Sequence, residues 1–244
     1  MVPAAVFNRA FLRTVFPGDT MALETLPEKI HIHDVIDTII TVLDARDPYT
    51  YSHSIRVAEI SEIIARRMGF PDGIVERAHH AAHLHDIGKI GVSDGVLNKP
   101  GKLLHSEMLE IQAHSRIGYN ILVRSKLFSD IAAIVLHHQE RYDGLGYPDG
   151  LSGEDIPVES RIIAVADAFD ALTSDRPYRK GIPFDMAGGE IQTHSGDHFC
   201  PEVVKAFIAG FQDICSSIPR IEHRTAAHFA FVGHEDLMHS RRQI

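Results

Sequence analysis

Tryptophan is absent from the 244 residues, cysteine occurs only twice, and no apolar run is long enough to cross a bilayer. Two cysteines, Cys200 and Cys215, cannot make a disulfide framework, so a reducing, cytoplasmic setting is expected. Positive charge is also scarce: 24 Lys+Arg against 33 Asp+Glu leave a formal net charge of −9. That balance argues against a surface that coats DNA or RNA, so any phosphate chemistry must find its positive charge locally. Internal repeats and low-complexity tracts are missing, and no stretch reads as a receiver, PAS-like or other sensory domain. A signal peptide fits residues 1–30 poorly, because Arg9 and Arg13 interrupt the apolar stretch and no small-residue cleavage site follows.

Histidine is what the chain has in excess, 17 in all, and many of these must be bystanders. The length suits one good core, with at most a small appendage. Apolar periodicity is mostly helical. Ile32, Val35, Ile36, Ile39, Ile40 and Leu43 mark one helix that Asp47-Pro48 ends, and 53–68 a second, closed by Gly69-Phe70-Pro71. A third is expected over 73–86, with further helices near 106–124, 130–141, 159–174 and 201–214. Residues 91–104 read as a loop, and the Gly- and Pro-rich 144–153 as a structured turn. The expected organisation is an arm or linker over 1–30, an all-α domain over 31–215 and a weakly ordered tail over 216–244.

Between His53 and Asp167, histidines and aspartates spread over five segments. Adjacent side chains such as His85 and Asp86 leave a helix about 100° apart. Both reach one ion only near a helix end, or with the aspartate as a bridge. The pair therefore makes most sense in a polynuclear site completed by neighbouring helices. His53, His114, the pair His137-His138 and Asp167 are the remaining donors, enough nitrogen and oxygen for two hard-to-borderline divalent ions. Asp167 follows the apolar run Ile162-Ile163-Ala164-Val165-Ala166, where a carboxylate is costly unless paired or metal-bound. Asp170 lies one turn on, facing the same way. The spacing of His79 to His83 would, by itself, suit two ligands on one helix face.

Four motifs stand in register: His85-Asp86-Ile87-Gly88-Lys89, Leu97-Asn98-Lys99-Pro100-Gly101, Glu140 through Pro148 with its Asp143-Gly144-Leu145-Gly146-Tyr147-Pro148, and Val165 through Ser174 followed by Arg176-Pro177-Tyr178-Arg179. Over roughly residues 31–212 the chain resembles the HD-GYP subgroup of the HD-domain phosphohydrolases. The resemblance implies a single all-helical HD bundle with a GYP-containing extension. It also implies hydrolysis of the bacterial messenger cyclic di-GMP to pGpG and/or GMP at an iron or manganese centre. One ion would be held by His53, His85, Asp86 and Asp167, the other by a bridging Asp86 with His114 and His138. Anchoring on Glu140 selects His138, with His137 beside it as the alternative, and leaves His79, His80 and His83 outside the ligand set.

By the same resemblance Lys89 contacts a phosphate oxygen and stabilises developing charge. Arg176 and Arg179 fall on substrate-phosphate and guanine contacts, and Asp170 is counted on the substrate side with them. Tyr147 is another candidate substrate contact, although its Gly-Tyr-Pro flank is expected mainly to shape the turn. That turn is also a possible surface for partner signalling proteins, and a homodimer is a further possibility. One departure is Phe199-Cys200-Pro201, where the family has Phe-Asp-Pro. A non-catalytic dinucleotide-binding module and an HD nucleotidase are the competing readings. Retention of the ligands weighs against the first, and the Gly-Tyr-Pro block weighs against both. Preference between cyclic di-GMP and the mixed GMP-AMP dinucleotide stays open.

Some members of the subgroup hold a third ion, and these have a Glu one turn before the first histidine and a second histidine in the adjacent pair. Here Tyr49 and Gln139 stand at those positions. A phenol of unperturbed pKa near 10 and a neutral amide replace a carboxylate and an imidazole badly. Metal analysis of anaerobically purified protein is therefore expected to find two ions per chain. Close to three would put His137 into a third site.

Overall fold

Apolar side chains at helical spacing build an all-helical domain, which the computed structural model describes over residues 32–46, 50–175 and 179–232. In chain order the helices are α1 (Ile32–Arg46), α2 (Thr50–Arg67), α3 (Asp72–Leu84), the short α4 (Asp94–Leu97), α5 (His105–Leu122), α6 (Ala132–Leu136), α7 (Val158–Thr173), α8 (Phe184–Thr193), α9 (Pro201–Ala209) and α10 (Phe211–Val232). Two 3-10 turns, Ile87–Gly91 and Gly153–Asp155, join them. No β-strand occurs among the described residues; an isolated bridge joins Ser195 and Phe199. Contacts separate Met1–Val35 from Ile36–Ile244. The expected arm over 1–30 and the Asp47-Pro48 stop lie outside the described residues.

Val57, Ala58, Ile60, Ile64 and Ala65 of α2 are fully buried. A helix apolar on more than one side belongs in the middle of its domain, and α2 packs against α3, α7, α9 and α10. It stops at Arg67. Gly69, at φ 76, turns the chain away through a conformation that other residues adopt only with strain. Helix α7 buries Ile162, Ile163, Val165, Ala166 and Phe169. The Phe169 ring sits edge-on to Phe207 and Phe211, at centroid distances of 5.1 and 5.9 Å.

Several boundaries differ from the sequence expectation. Helix α3 ends at Leu84, so His85 is its C-cap and Asp86 already opens the following 3-10 turn. The expected loop over 91–104 contains the short helix α4. Only α6 survives of the helix expected over 130–141, which leaves His137 and His138 beyond its end. Helix α8 was not anticipated; its Gly188 and Gly189 depress helix propensity, but Gly188 lies where a side chain would meet the Phe211 ring at 2.9 Å. The helix expected over 201–214 breaks at Gly210. Cys200 is the N-cap of α9 and makes no side-chain capping bond there.

A helix crosses the expected tail boundary at residue 216. Helix α10 runs on to Val232 through Pro219, which removes one N–H from the helix. What carries the helix past the proline is packing: Ile214, Ile218, Ile221 and Thr225 are spaced along one face and all buried.

Gly88 presses the 3-10 turn onto α5. A Cβ there would fall 1.8 Å from the His114 carbonyl oxygen and 2.6 Å from the Gly118 nitrogen. Gly88→Ala is therefore expected to lower stability by about 1–3 kcal/mol, read as a lower urea midpoint. Gly95→Ala, with open space around its Cβ, should cost less than about 0.5 kcal/mol. Equal midpoints for the two variants would show that the turn yields freely.

Candidate metal centre

Four imidazoles converge from four segments, each tethered by its Nδ1. His85 Nδ1 lies 2.6 Å from the Ala82 carbonyl, His114 Nδ1 2.6 Å from that of Ile111, and His138 Nδ1 2.7 Å from that of Val135. A carbonyl only accepts, so each of these Nδ1 atoms carries the proton and Nε2 is left with a lone pair. His53 reaches the same state differently: its Nδ1 is 2.7 Å from Asp170 Oδ2 on α7. The Nε2 atoms then meet in pairs, His53 with His85 and His114 with His138, each pair 3.3 Å apart. With their protons committed elsewhere, neutral rings would face each other lone pair to lone pair.

Asp86 sits between the pairs. Its Oδ2 is 3.3 Å from His85 Nε2 and 3.7 Å from His53 Nε2, while Oδ1 is 3.7 Å from His114 Nε2. The result is two donor groups, His53–His85–Asp86 and Asp86–His114–His138, sharing one carboxylate. Asp167 Oδ1 adds an oxygen 3.4 Å from His53 Nε2. All of these except the part-exposed Asp167 are buried. The early end of α3 makes this possible: beyond Leu84 the backbone leaves the helix, and His85 and Asp86 can point into one space.

Burial favours neutral rings and depresses the pKa of His114, and that of His138 well below the imidazole range, where the charges on His85 and His114 press it further. Burial opposes charge on His85 as well, yet Asp86 and Asp167 outweigh it and push its pKa up to about 9. Asp86 would itself be raised by burial, but Lys89, His85 and His114 hold it well below the usual carboxylate range. The carboxylates thus favour positive charge at the spot where imidazole lone pairs crowd. Such a donor set fits divalent cations bound by nitrogen and oxygen.

The remaining candidates are placed as follows. Lys89 Nζ lies 2.6 Å from Asp86 Oδ2, at the part-exposed rim of the centre. His137 stands apart from both groups, its Nδ1 3.6 Å from Glu140 Oε1 and 3.9 Å from Asp149 Oδ2. Gln139 donates to Asp167 Oδ2 at 3.3 Å. The Tyr147 ring lies edge-on to His114, with centroids 6.3 Å apart. Burial raises the pKa of its hydroxyl, and the Asp86 and Asp167 charges raise it further. Arg179 is exposed and donates to the Ala171 and Leu172 carbonyls at the end of α7. Arg176 and Tyr49 lie outside the described residues.

Asp170, expected on the substrate side, is fully buried behind His53, with its carboxylate occupied by His53 and by the guanidinium of Arg56. Those partners hold its pKa down to about 2 although burial works the other way. Arg56, which also donates to Ser174 Oγ at 3.0 Å, was missed. A signal existed: Arg56 follows His53 by three residues, close to the same helix face. Glu140 was read only as a motif anchor. It is buried and accepts from the Asp149 and Gly150 amides at 2.8 and 3.1 Å, which ties down the turn carrying Tyr147.

Residues 37–203 match the HD domain family. The chain is 40% identical over 199 residues to a cyclic di-GMP phosphodiesterase of Thermotoga maritima, an alignment covering 81% of this chain and 54% of that protein. It is 44% identical over 146 residues to the 3'3'-cGAMP-specific phosphodiesterase 3 of Vibrio cholerae, covering 60% and 32%. It therefore spans about half the length, or less, of these relatives. Among solved structures, the HD domain of the L. monocytogenes phosphodiesterase PgpH in complex with cyclic-di-AMP aligns with a TM-score of 0.54 at 16% identity, over 79% of this chain and all of that one, a likeness of fold. On the family match over 37–203, with the His85-Asp86 pair at its centre and the Gly146-Tyr147-Pro148 turn beside it, this chain belongs to the HD-domain family and is of the HD-GYP type.

Proposed function

We propose that the chain is a cyclic dinucleotide phosphodiesterase that hydrolyses cyclic di-GMP to pGpG and/or GMP. The observation that carries this reading is the pair of donor groups sharing Asp86, and the names of the relatives support the choice of substrate class. His53, His85, Asp86 and Asp167 would hold one divalent ion, and Asp86, His114 and His138 the other, with iron or manganese suited to this mixture of imidazole and carboxylate. When bound, such ions supply positive charge to a phosphodiester and make water acidic enough to attack it near neutral pH.

The chain's own residues do the rest. Lys89 brings a flexible ammonium to the rim, where it can reach a non-bridging phosphate oxygen and stabilise charge as it builds on phosphorus. Tyr147 offers a phenol, held neutral by its surroundings, as a hydrogen-bond donor at the same rim. Asp170, backed by Arg56, fixes the ring of His53. Hydrolysis breaks one P–O bond of the ring, adds water across it and leaves a free hydroxyl on the released sugar. Cys200 and Cys215 are both free. No helix among the described residues is long and apolar enough to cross a membrane. The exposed Leu145 at the tip of the turn is a candidate contact for partner signalling proteins.

Incubating the metal-loaded chain with cyclic di-GMP should yield linear products on chromatography, and a parallel incubation with 3'3'-cGAMP measures the preference between the two. Tight binding without any product would make the chain a receptor instead. Asp86→Ala should lose both metal and activity, whereas Lys89→Ala should keep its metal and slow turnover by roughly ten- to a thousandfold. Equal metal loss in the two variants refutes this division of roles.

Asp170→Asn replaces the anion behind His53 with a neutral amide. Removing such a partner weakens metal affinity by about 10–100-fold, and the loss should fall on the His53 half. Metal titration is expected to show one weakened ion and one unchanged. Two unchanged affinities would reduce Asp170 to a packing role.

A further inference from the structure

Helix α3 carries histidines that neither donor group uses. His79 and His83, one turn apart, place their Nε2 atoms 3.1 Å from each other, with the rings edge-on at a centroid distance of 4.7 Å. At metal–nitrogen bond lengths of about 2.0–2.1 Å, an ion held by both would see them roughly 100° apart. That lies between the octahedral and tetrahedral angles. The i, i+4 spacing is the one by which a single helix face supplies two zinc ligands.

A second observation concerns the other nitrogen of His79. Glu62 Oε2, on α2, lies 3.2 Å from His79 Nδ1, and Glu62 Oε1 is itself held by Arg66 Nε at 2.9 Å. Glu62 and His79 stand at ion-pair distance, so the Glu62 charge favours a proton on Nδ1 and leaves Nε2 for an ion. His83 is buried while the His79 side chain remains 18% exposed, so solvent reaches one side of the pair.

We propose that His79 and His83 form a separate cation site that takes one borderline divalent ion, of the zinc or copper class, through their Nε2 atoms, with water in the other positions and Glu62 as a positioning residue. Hard ions such as Mg2+ and Ca2+ prefer oxygen and would not occupy it. The proposal stands apart from the phosphodiesterase reading, and its test involves no turnover.

Zn2+ is titrated calorimetrically into untagged, full-length Asp86→Ala protein, in which the shared carboxylate of the buried centre is gone. Whatever the remaining histidines of the buried centre take up, one further zinc per chain is expected, lost when His79→Gln and His83→Gln are added and weakened about tenfold by Glu62→Gln. Zinc uptake that is the same with and without the two histidines overturns the site. So does the absence of uptake, which leaves an imidazole–imidazole hydrogen bond only. Should Asp86→Ala fail to fold, bound zinc per chain is counted in zinc-saturated wild-type and His79→Gln/His83→Gln proteins. The double variant should hold one ion fewer; equal counts overturn the proposal equally.

Discussion

Every ring in the buried centre commits its N–H to the side facing away from the other rings, and the remaining geometry depends on that commitment. Three of the acceptors are carbonyls three residues back in the same segment, so they are present as soon as the local backbone forms. The fourth acceptor, the Asp170 carboxylate, exists only once α7 has packed on α2. Were any Nδ1 to lose its proton, the corresponding Nε2 would become a donor and the site would present hydrogens where it presents lone pairs. Asp86 gains its place between the two pairs from the same arrangement, one oxygen turned to each.

Much of this was legible in the chain as residue type and order. Asp167 stood out because it follows an apolar, helix-forming run where an unpaired carboxylate is costly, whereas His53, His85, Asp86 and His114 were picked out by the order and register of the family motifs. Choosing His138 over His137 needed the register from Glu140, because α6 is too short for periodicity to say which ring turns inward. Asp170 was misread for a geometric reason: three residues along a helix rotate a side chain by about 60° from its starting direction. At a crowded junction that angle separates an oxygen at the centre from one in the core behind it. The extension of α10 was missed because proline and scattered histidines hid a stripe of Ile214, Ile218 and Ile221. Helix α8 was missed because its stability lies in contact with Phe211 rather than in its own composition.

Arg56 and Asp170 form an ion pair with almost no solvent access. Such pairs are poor evidence of stability, since desolvating both charges consumes most of what their attraction returns. Orientation is the better explanation here. A guanidinium holds a planar carboxylate in a fixed plane, and Arg56 thereby sets the angle at which Asp170 meets His53. Glu140 plays a comparable part for the Tyr147 turn, with backbone amides in place of a side chain.

The donors that meet around Asp86 come from segments as far apart in sequence as His53 and Asp167. Nothing in an unfolded chain holds these segments together, so an ion held by all of them binds the folded state alone and favours it by mass action. At a free concentration a hundred times the dissociation constant, one such ion adds about 2.7 kcal/mol to folding, a sizeable fraction of a typical domain's 5–15 kcal/mol. Where such ions are bound, their supply would bear on the abundance of the chain. A cell short of the right ion would hold more of this chain in opened forms accessible to proteases, and would lose the protein itself along with its chemistry.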